Sequence, residues 1–104
     1  MTTIADKLQS VRARIAQACA AAGRAPDSVA LLAVSKTFGA DAVLGAVAAG
    51  QRAFGENYIQ EGVDKIAAVR AALPGAALQW HCIGPIQSNK TRLVAEHFDW
   101  VHTV

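Results

Sequence analysis

Charge and aromatic rings are scarce in this chain. Of its 104 residues, 17% are charged and 6% aromatic, with a single tyrosine, whereas 53% are hydrophobic. So apolar a composition excludes a disordered segment and points to a globular fold with a modest core. The net charge of +2 is small, and the basic residues form no stripe interleaved with aromatics, so no nucleic-acid surface is expected. No apolar run reaches the length of a membrane span. Asp6, Lys7, Arg12 and Arg14 interrupt the first helical segment, which leaves no signal-peptide core, and a cytoplasmic location is expected. There are two cysteines, Cys19 and Cys82, one in a helical and one in a strand-like segment; they read as buried thiols of a reducing compartment rather than a disulfide. His81, Cys82, His97 and His102 have neither CxxC nor HxxxH spacing, so no metal site is expected. GxGxxG, Walker and GxSxG motifs are missing as well.

What is present is a rhythm of helices and apolar strands. Ile4, Leu8, Val11, Ile15, Ala18 and Ala22 recur on one helical face; Thr3 with Asp6 forms a capping box, and Gly23 is a natural stop with Pro26 beyond it. The run Val29-Ala30-Leu31-Leu32-Ala33-Val34 reads as a strand over about 29–35, buried on both faces. A short helix follows over 41–49, then a strand over 51–55. A third helix runs from Tyr58 to Leu73 with Ile59, Val63, Ile66 and Leu73 on its apolar stripe and Glu61, Asp64 and Lys65 on its polar side; Pro74-Gly75 ends it. Strand three covers 78–83, a brief helix 88–96 with Ser88 or Asn89 near its cap, and strand four 100–104. Strands alternating with helices imply a parallel sheet. The fold class is α/β. Four such strands are the N-terminal half of a β/α (TIM-type) barrel preceded by one helix, since a whole barrel takes roughly 250 residues; an open flavodoxin-like sheet is the alternative.

Function is written at the strand ends. Lys36 stands directly after the first apolar run, where α/β folds place their ligands, and a desolvated, neutral amine there can attack a carbonyl; an outward, solvated lysine is the equally weighted alternative. Three successive strands end in polar loops: Ser35-Lys36-Thr37, Phe54-Gly55-Glu56-Asn57-Tyr58, and His81-Cys82-Ile83-Gly84-Pro85-Ile86-Gln87-Ser88-Asn89-Lys90. In a parallel sheet these loops share an edge, so their side chains can converge. Read locally, either Glu56 or Asn57 caps the third helix, His81 is a hydrogen-bonded core histidine or a ligand contact, and Asn89 with Lys90 sits where helix amides favour an anion.

Together these three strings, with Glu96-His97-Phe98-Asp99-Trp100-Val101-His102-Thr103, resemble the pyridoxal-phosphate homeostasis proteins over essentially the whole chain. The resemblance implies an alanine-racemase-type N-terminal barrel. It implies pyridoxal 5′-phosphate held as a Schiff base on Lys36, with Asn57 and His81 lining the cofactor ring, and a carrier role in vitamin B6 homeostasis without robust catalysis. Family members often have proline where this chain has Gly39, which loosens the loop after Lys36. A full family member is about twice as long and draws its phosphate site from the second half of the barrel, so the likeness implies one partial domain over 1–104, the amino-terminal half of such a protein. Open sheet edges then favour self-association. Two other functions compete: a racemase-like or lyase-like pyridoxal-phosphate enzyme, for which Tyr58 is not marked as a second base, and an inert fragment that needs its other half.

Overall fold

A computed structural model describes residues 3–102. Helix α1 (Ile4–Ala21) leads into β1 (Ala33–Val34), α2 (Ala40–Ala48), β2 (Ala53–Glu56), α3 (Ile59–Ala72) and β3 (Gln79–Cys82). A single 3₁₀ turn over Ser88–Lys90 runs into α4 (Thr91–His97), and β4 (Trp100–Val101) follows. The four strands form one parallel sheet in the order β1-β2-β3-β4. This is the alternation expected, a run of β/α units behind an N-terminal helix. The last two residues of the anticipated fourth strand, Thr103 and Val104, lie outside the described residues.

Local signals set the boundaries. The Thr3 hydroxyl accepts from the Asp6 N–H, and the Asp6 carboxylate accepts from the Thr3 N–H, so the capping box is closed in both directions. At the other end of α1, Gly23 takes φ +70°, and the N–H groups of Arg24 and Gly23 donate to the carbonyls of Cys19 and Ala20. That is a Schellman stop, and only glycine enters it without strain. The expected caps of the later helices are not there. Neither Glu56 nor Asn57 caps α3, and neither Ser88 nor Asn89 caps α4. The 3₁₀ turn serves instead, with the Thr91 hydroxyl donating back to the Ser88 carbonyl.

Helices cover one face of the sheet. Phe54 and Trp80, on neighbouring strands and 5.3 Å apart between ring centroids, project into a core with Val43, Val47, Ile66 and Val69. A second cluster joins Ile59, Val63, Cys82 and Val94. Gly62 lets α3 sit close here, because a Cβ at that position would lie 2.9 Å from the Phe98 ring. Helix α1 packs beside α2, where Arg12 donates to the Ala49 carbonyl and to Gln51 Oε1. The buried Gln51 amide in turn donates to the carbonyls of Leu31 and Ala53. Of the expected α1 stripe, Leu8 is buried while Ile4 and Val11 stay exposed. An apolar cleft of about 330 Å3 remains between α1, α2 and β1.

The expectation of a first strand buried on both faces is corrected. β1 is only two residues long, and Val34 is 47% exposed. Among the described residues the helices lie on one side of the sheet, so the side chains that alternate to the other side, Val34 and Trp100 among them, meet solvent. Both cysteines are buried free thiols, as expected. Core and cap differ in what their removal does. Ile66→Ala, at a site with 0% exposure, is expected to cost about 2–5 kcal/mol in urea unfolding, and Thr3→Ala about 1 kcal/mol.

Candidate functional site at the strand ends

Sheet register fixes which residues meet at the carboxyl edge. Val34, Gly55, His81 and Trp100 lie side by side across the four strands, on the face the helices leave uncovered. Two residues further along each chain stand Lys36, Asn57, Ile83 and His102. Ladder bonds still connect the strands at this level. The Ser35 N–H donates to the Gly55 carbonyl at 2.9 Å, Ile83 N–H to Glu56 at 3.0 Å, and His102 N–H to Cys82 at 3.0 Å. The three sequence-predicted residues thus gather at adjacent strand ends, Lys36 and Asn57 at the rim and His81 one level deeper. No hydrogen bond joins these three to one another among the described residues.

Lys36 is exposed, in a turn closed by the Phe38 N–H donating to the Ser35 carbonyl at 3.2 Å. Thr37, the next residue, has φ +65°. A β-branched residue in that left-handed region is strained, and such strain persists only where neighbours hold it. Here the Thr37 N–H donates to Glu61 Oε1 of α3 at 2.8 Å. Directly behind the turn lies a buried polar cluster. Glu56 is 0% exposed, and Lys65 places its ammonium 3.0 Å from both carboxylate oxygens. Lys65 also donates to the Ser35 carbonyl at 2.6 Å, and the Ser35 hydroxyl donates to Glu56 Oε2. Burial of a charge is tolerable because every member is paired and bonded.

This cluster overturns two expectations. Lys65, a polar position of α3, is buried and not on the helix's solvent side, and Glu56 is not a helix cap. Both turn inward because β2 and α3 are in contact there and each neutralises the other. The only local hint was the Glu61-to-Lys65 spacing of four residues, which also forms an ion pair at 3.4 Å.

On the open face, His81 Nδ1 lies 2.9 Å from His102 Nε2, and the His81 ring stacks on Trp100 with centroids 6.1 Å apart. His81 Nε2 is buried and has no hydrogen-bond partner among the described residues. Burial, then the neighbouring His102, push the His81 pKa down, and Asp99 opposes them. The imidazole is thereby kept neutral further into acid than a free histidine. Strand alternation places His102 on the same face as Trp100, but only the parallel register brings it to His81. Burial raises the Cys82 thiol pKa, against a bond to the Gly84 carbonyl. The second and third loops touch at Gly84, where a Cβ would stand 2.1 Å from the Asn57 carbonyl oxygen.

Parallel strands joined by helices, behind an N-terminal helix and with polar loops gathered at the carboxyl ends, define part of a β/α barrel, with the loops on the edge where such barrels place their ligands. No family model matches the chain. Among curated proteins it is 59% identical over all 104 residues to the pyridoxal phosphate homeostasis protein of Vibrio cholerae. It is 57% identical over the same length to that of Escherichia coli, and 59% to that of Pseudomonas aeruginosa. The chain spans 44% of the length of each of these relatives. Of solved structures, PipY of Synechococcus elongatus with pyridoxal phosphate bound superposes with a TM-score of 0.79 at 46% identity, over 98% of this chain and 42% of PipY. An unknown protein from Bifidobacterium adolescentis superposes with a TM-score of 0.89 at 35% identity, over 97% of this chain and 44% of the other. The resemblance read from the three loops is borne out: over its whole length the chain is similar to pyridoxal phosphate homeostasis proteins.

Two outcomes follow from this geometry. A histidine whose folded pKa lies below the ordinary 6.5 favours the folded state fully above that value and loses the contribution as pH falls through it, because the unfolded chain binds the proton more readily. The urea midpoint should therefore drop as pH is lowered from about 7.5 to about 5.5, and His81→Gln should flatten that dependence. Gly84→Ala should destabilise by about 1–3 kcal/mol or more, since the backbone of two loops must separate to admit one methyl group.

Proposed function

We propose that this chain binds pyridoxal 5′-phosphate as a Schiff base on Lys36 and takes part in intracellular cofactor homeostasis, in the cytoplasm, without robust catalysis. The observation that carries the reading is the exposed Lys36 just after β1, at the same sheet edge as Asn57 after β2 and His81 on β3, in a chain similar to pyridoxal phosphate homeostasis proteins throughout its length. The chemistry of the residues present fits the cofactor. His81 Nε2, a buried nitrogen without a partner among the described residues, belongs to the uncovered face of the sheet, two strands from Lys36 and one level deeper, and has hydrogen-bonding capacity to offer a heteroaromatic ring. When bound, the cofactor supplies an electrophilic carbonyl. Lys36 contributes the amine, Asn57 a side-chain amide at the rim, and His81 a neutral imidazole oriented by His102. Gly55, with no side chain, leaves its level of the face to the methyl groups of Ile83 and Leu32.

Borohydride reduction after incubation with pyridoxal phosphate should place the pyridoxyl group on the peptide holding Lys36. Label spread evenly over Lys7, Lys65 and Lys90 would exclude the assignment. Addition of alanine should produce no change in its optical rotation; steady racemisation would replace the carrier reading with the enzymatic one. Barrel phosphate sites commonly come from late strands, and the described residues form four strands. As a 104-residue polypeptide the protein should therefore bind pyridoxal and pyridoxal phosphate with similar, weak affinity. A strong preference for the phosphorylated form would reveal a phosphate site within these residues.

The open face and the two sheet edges favour association between copies. Trp100 and Val101 of the edge strand are 57% and 47% exposed. Sedimentation should show a concentration-dependent mass. A monomer that is independent of concentration and melts sharply would mean that this sheet is self-sufficient.

A further inference from the structure

We propose that Glu61 is a positioning residue for Lys36, acting with the buried Glu56–Lys65 pair to hold the turn that presents the amine; the inference rests on the assignment of Lys36 above. The residues on either side of Lys36 are each fastened from outside the turn. On the amino side, the Ser35 carbonyl accepts from Lys65 Nζ at 2.6 Å and the Ser35 hydroxyl donates to Glu56. On the carboxyl side, the Thr37 N–H donates to Glu61 at 2.8 Å. The Lys36 ammonium itself has no hydrogen bond or ion pair among the described residues, so its placement is set by its backbone neighbours. The two fastenings meet, because Lys65 Nζ lies 3.4 Å from the same Glu61 oxygen that accepts from Thr37. One ammonium thus orients two carboxylates, and those carboxylates with that ammonium hold both ends of the dipeptide step through Lys36.

Thr37 shows why a clamp is needed. At φ +65° it occupies a region that a β-branched residue leaves unless held. The Ser35-to-Phe38 hydrogen bond closes the turn, but it leaves the Thr37 amide unsatisfied; Glu61 supplies the acceptor. Released, Thr37 relaxes toward the ordinary regions and carries the Lys36 Cα with it. A lysine on a wandering turn loses the orientation that makes attack on a bound carbonyl fast.

The Glu61 side chain is 38% exposed, so its removal strands no buried charge, whereas a change at Glu56 or Lys65 does. Glu61→Ala is therefore the informative variant, with Glu61→Gln as the conservative one that keeps an acceptor for Thr37. Two measurements on the 104-residue chain are taken together: amide hydrogen exchange at Thr37 without cofactor, and the share of borohydride-trapped pyridoxal carried by Lys36 relative to Lys7 and Lys90. Glu61→Ala is expected to speed Thr37 exchange at least about tenfold and to cut the Lys36 share several-fold, with the thermal midpoint little changed, as for a surface carboxylate. Glu61→Gln should restore both to within about threefold of the parent. Unchanged exchange at Thr37 in Glu61→Ala overturns the clamp. Faster exchange with an unaltered Lys36 share overturns its positioning role and leaves Glu61 a structural support only. Were the parent chain itself to show no preference for Lys36, the cofactor reading would fall and no positioning role could stand; Thr37 exchange would then report only whether Glu61 holds the turn.

Discussion

One ammonium–carboxylate contact organises this molecule. Lys65 of α3 and Glu56 of β2 face each other at 3.0 Å in a place that water does not reach. Neither charge is tolerable there alone. Removing one partner from such a pair costs about 3–5 kcal/mol, although replacing both by apolar residues of similar shape is often neutral. The pair therefore contributes little to net stability and much to geometry. It fixes the register of α3 on the sheet, because Lys65 can satisfy its three N–H groups only where the Ser35 carbonyl and Glu56 stand together. Through Ser35 it ties the end of β1 to the end of β2, which share few ladder bonds because β1 is so short.

The sheet has two unequal sides, and the division explains much of the rest. On the helix side, Phe54, Trp80, Ile66 and Val69 are closed from solvent and supply the hydrophobic driving force. On the other side the same strands carry Val34, Gly55, His81 and Trp100, a mixed set with a histidine pair at its centre. Apolar packing is concentrated on one side, and the histidine pair stands on the other. The loops that bridge them are held by contacts between backbones, such as Gly84 against Asn57, more than by caps.

Much of this was legible in the residues. The α1 capping box and the Gly23 stop are read from Thr3, Asp6 and Gly23 because both depend on chain neighbours alone. The alternation of strands and helices follows from apolar period, and Lys36, Asn57 and His81 fall at strand ends because the carboxyl ends of the apolar runs are also those of the strands. What the residues alone do not give is the particular side-chain partner brought from a distant element. Lys65 looks solvated on a helical wheel until Glu56 is brought beneath it from another element. Glu56 looks like a cap until the sheet takes it inward. The first strand reads as buried on both faces because the composition of Val29–Val34 records apolarity, not which layers will cover it. His102 acquires meaning only through parallel register, which sets it beside His81 twenty-one residues away in the chain.

The two tryptophans divide the sheet between them. Trp80 is closed into the helix side at 1% exposure, and Trp100 stands on the open side at 57% exposure, stacked over His81. The molecule thus carries a separate fluorophore for each side of its sheet, one emitting from an apolar medium and one from water. Events confined to the open side change the red component of the emission and leave the blue one, whereas loosening of the helix layer does the reverse. With the single tyrosine at the start of α3, the chain's own optics separate occupancy of the rim from loss of the core, and no label is required.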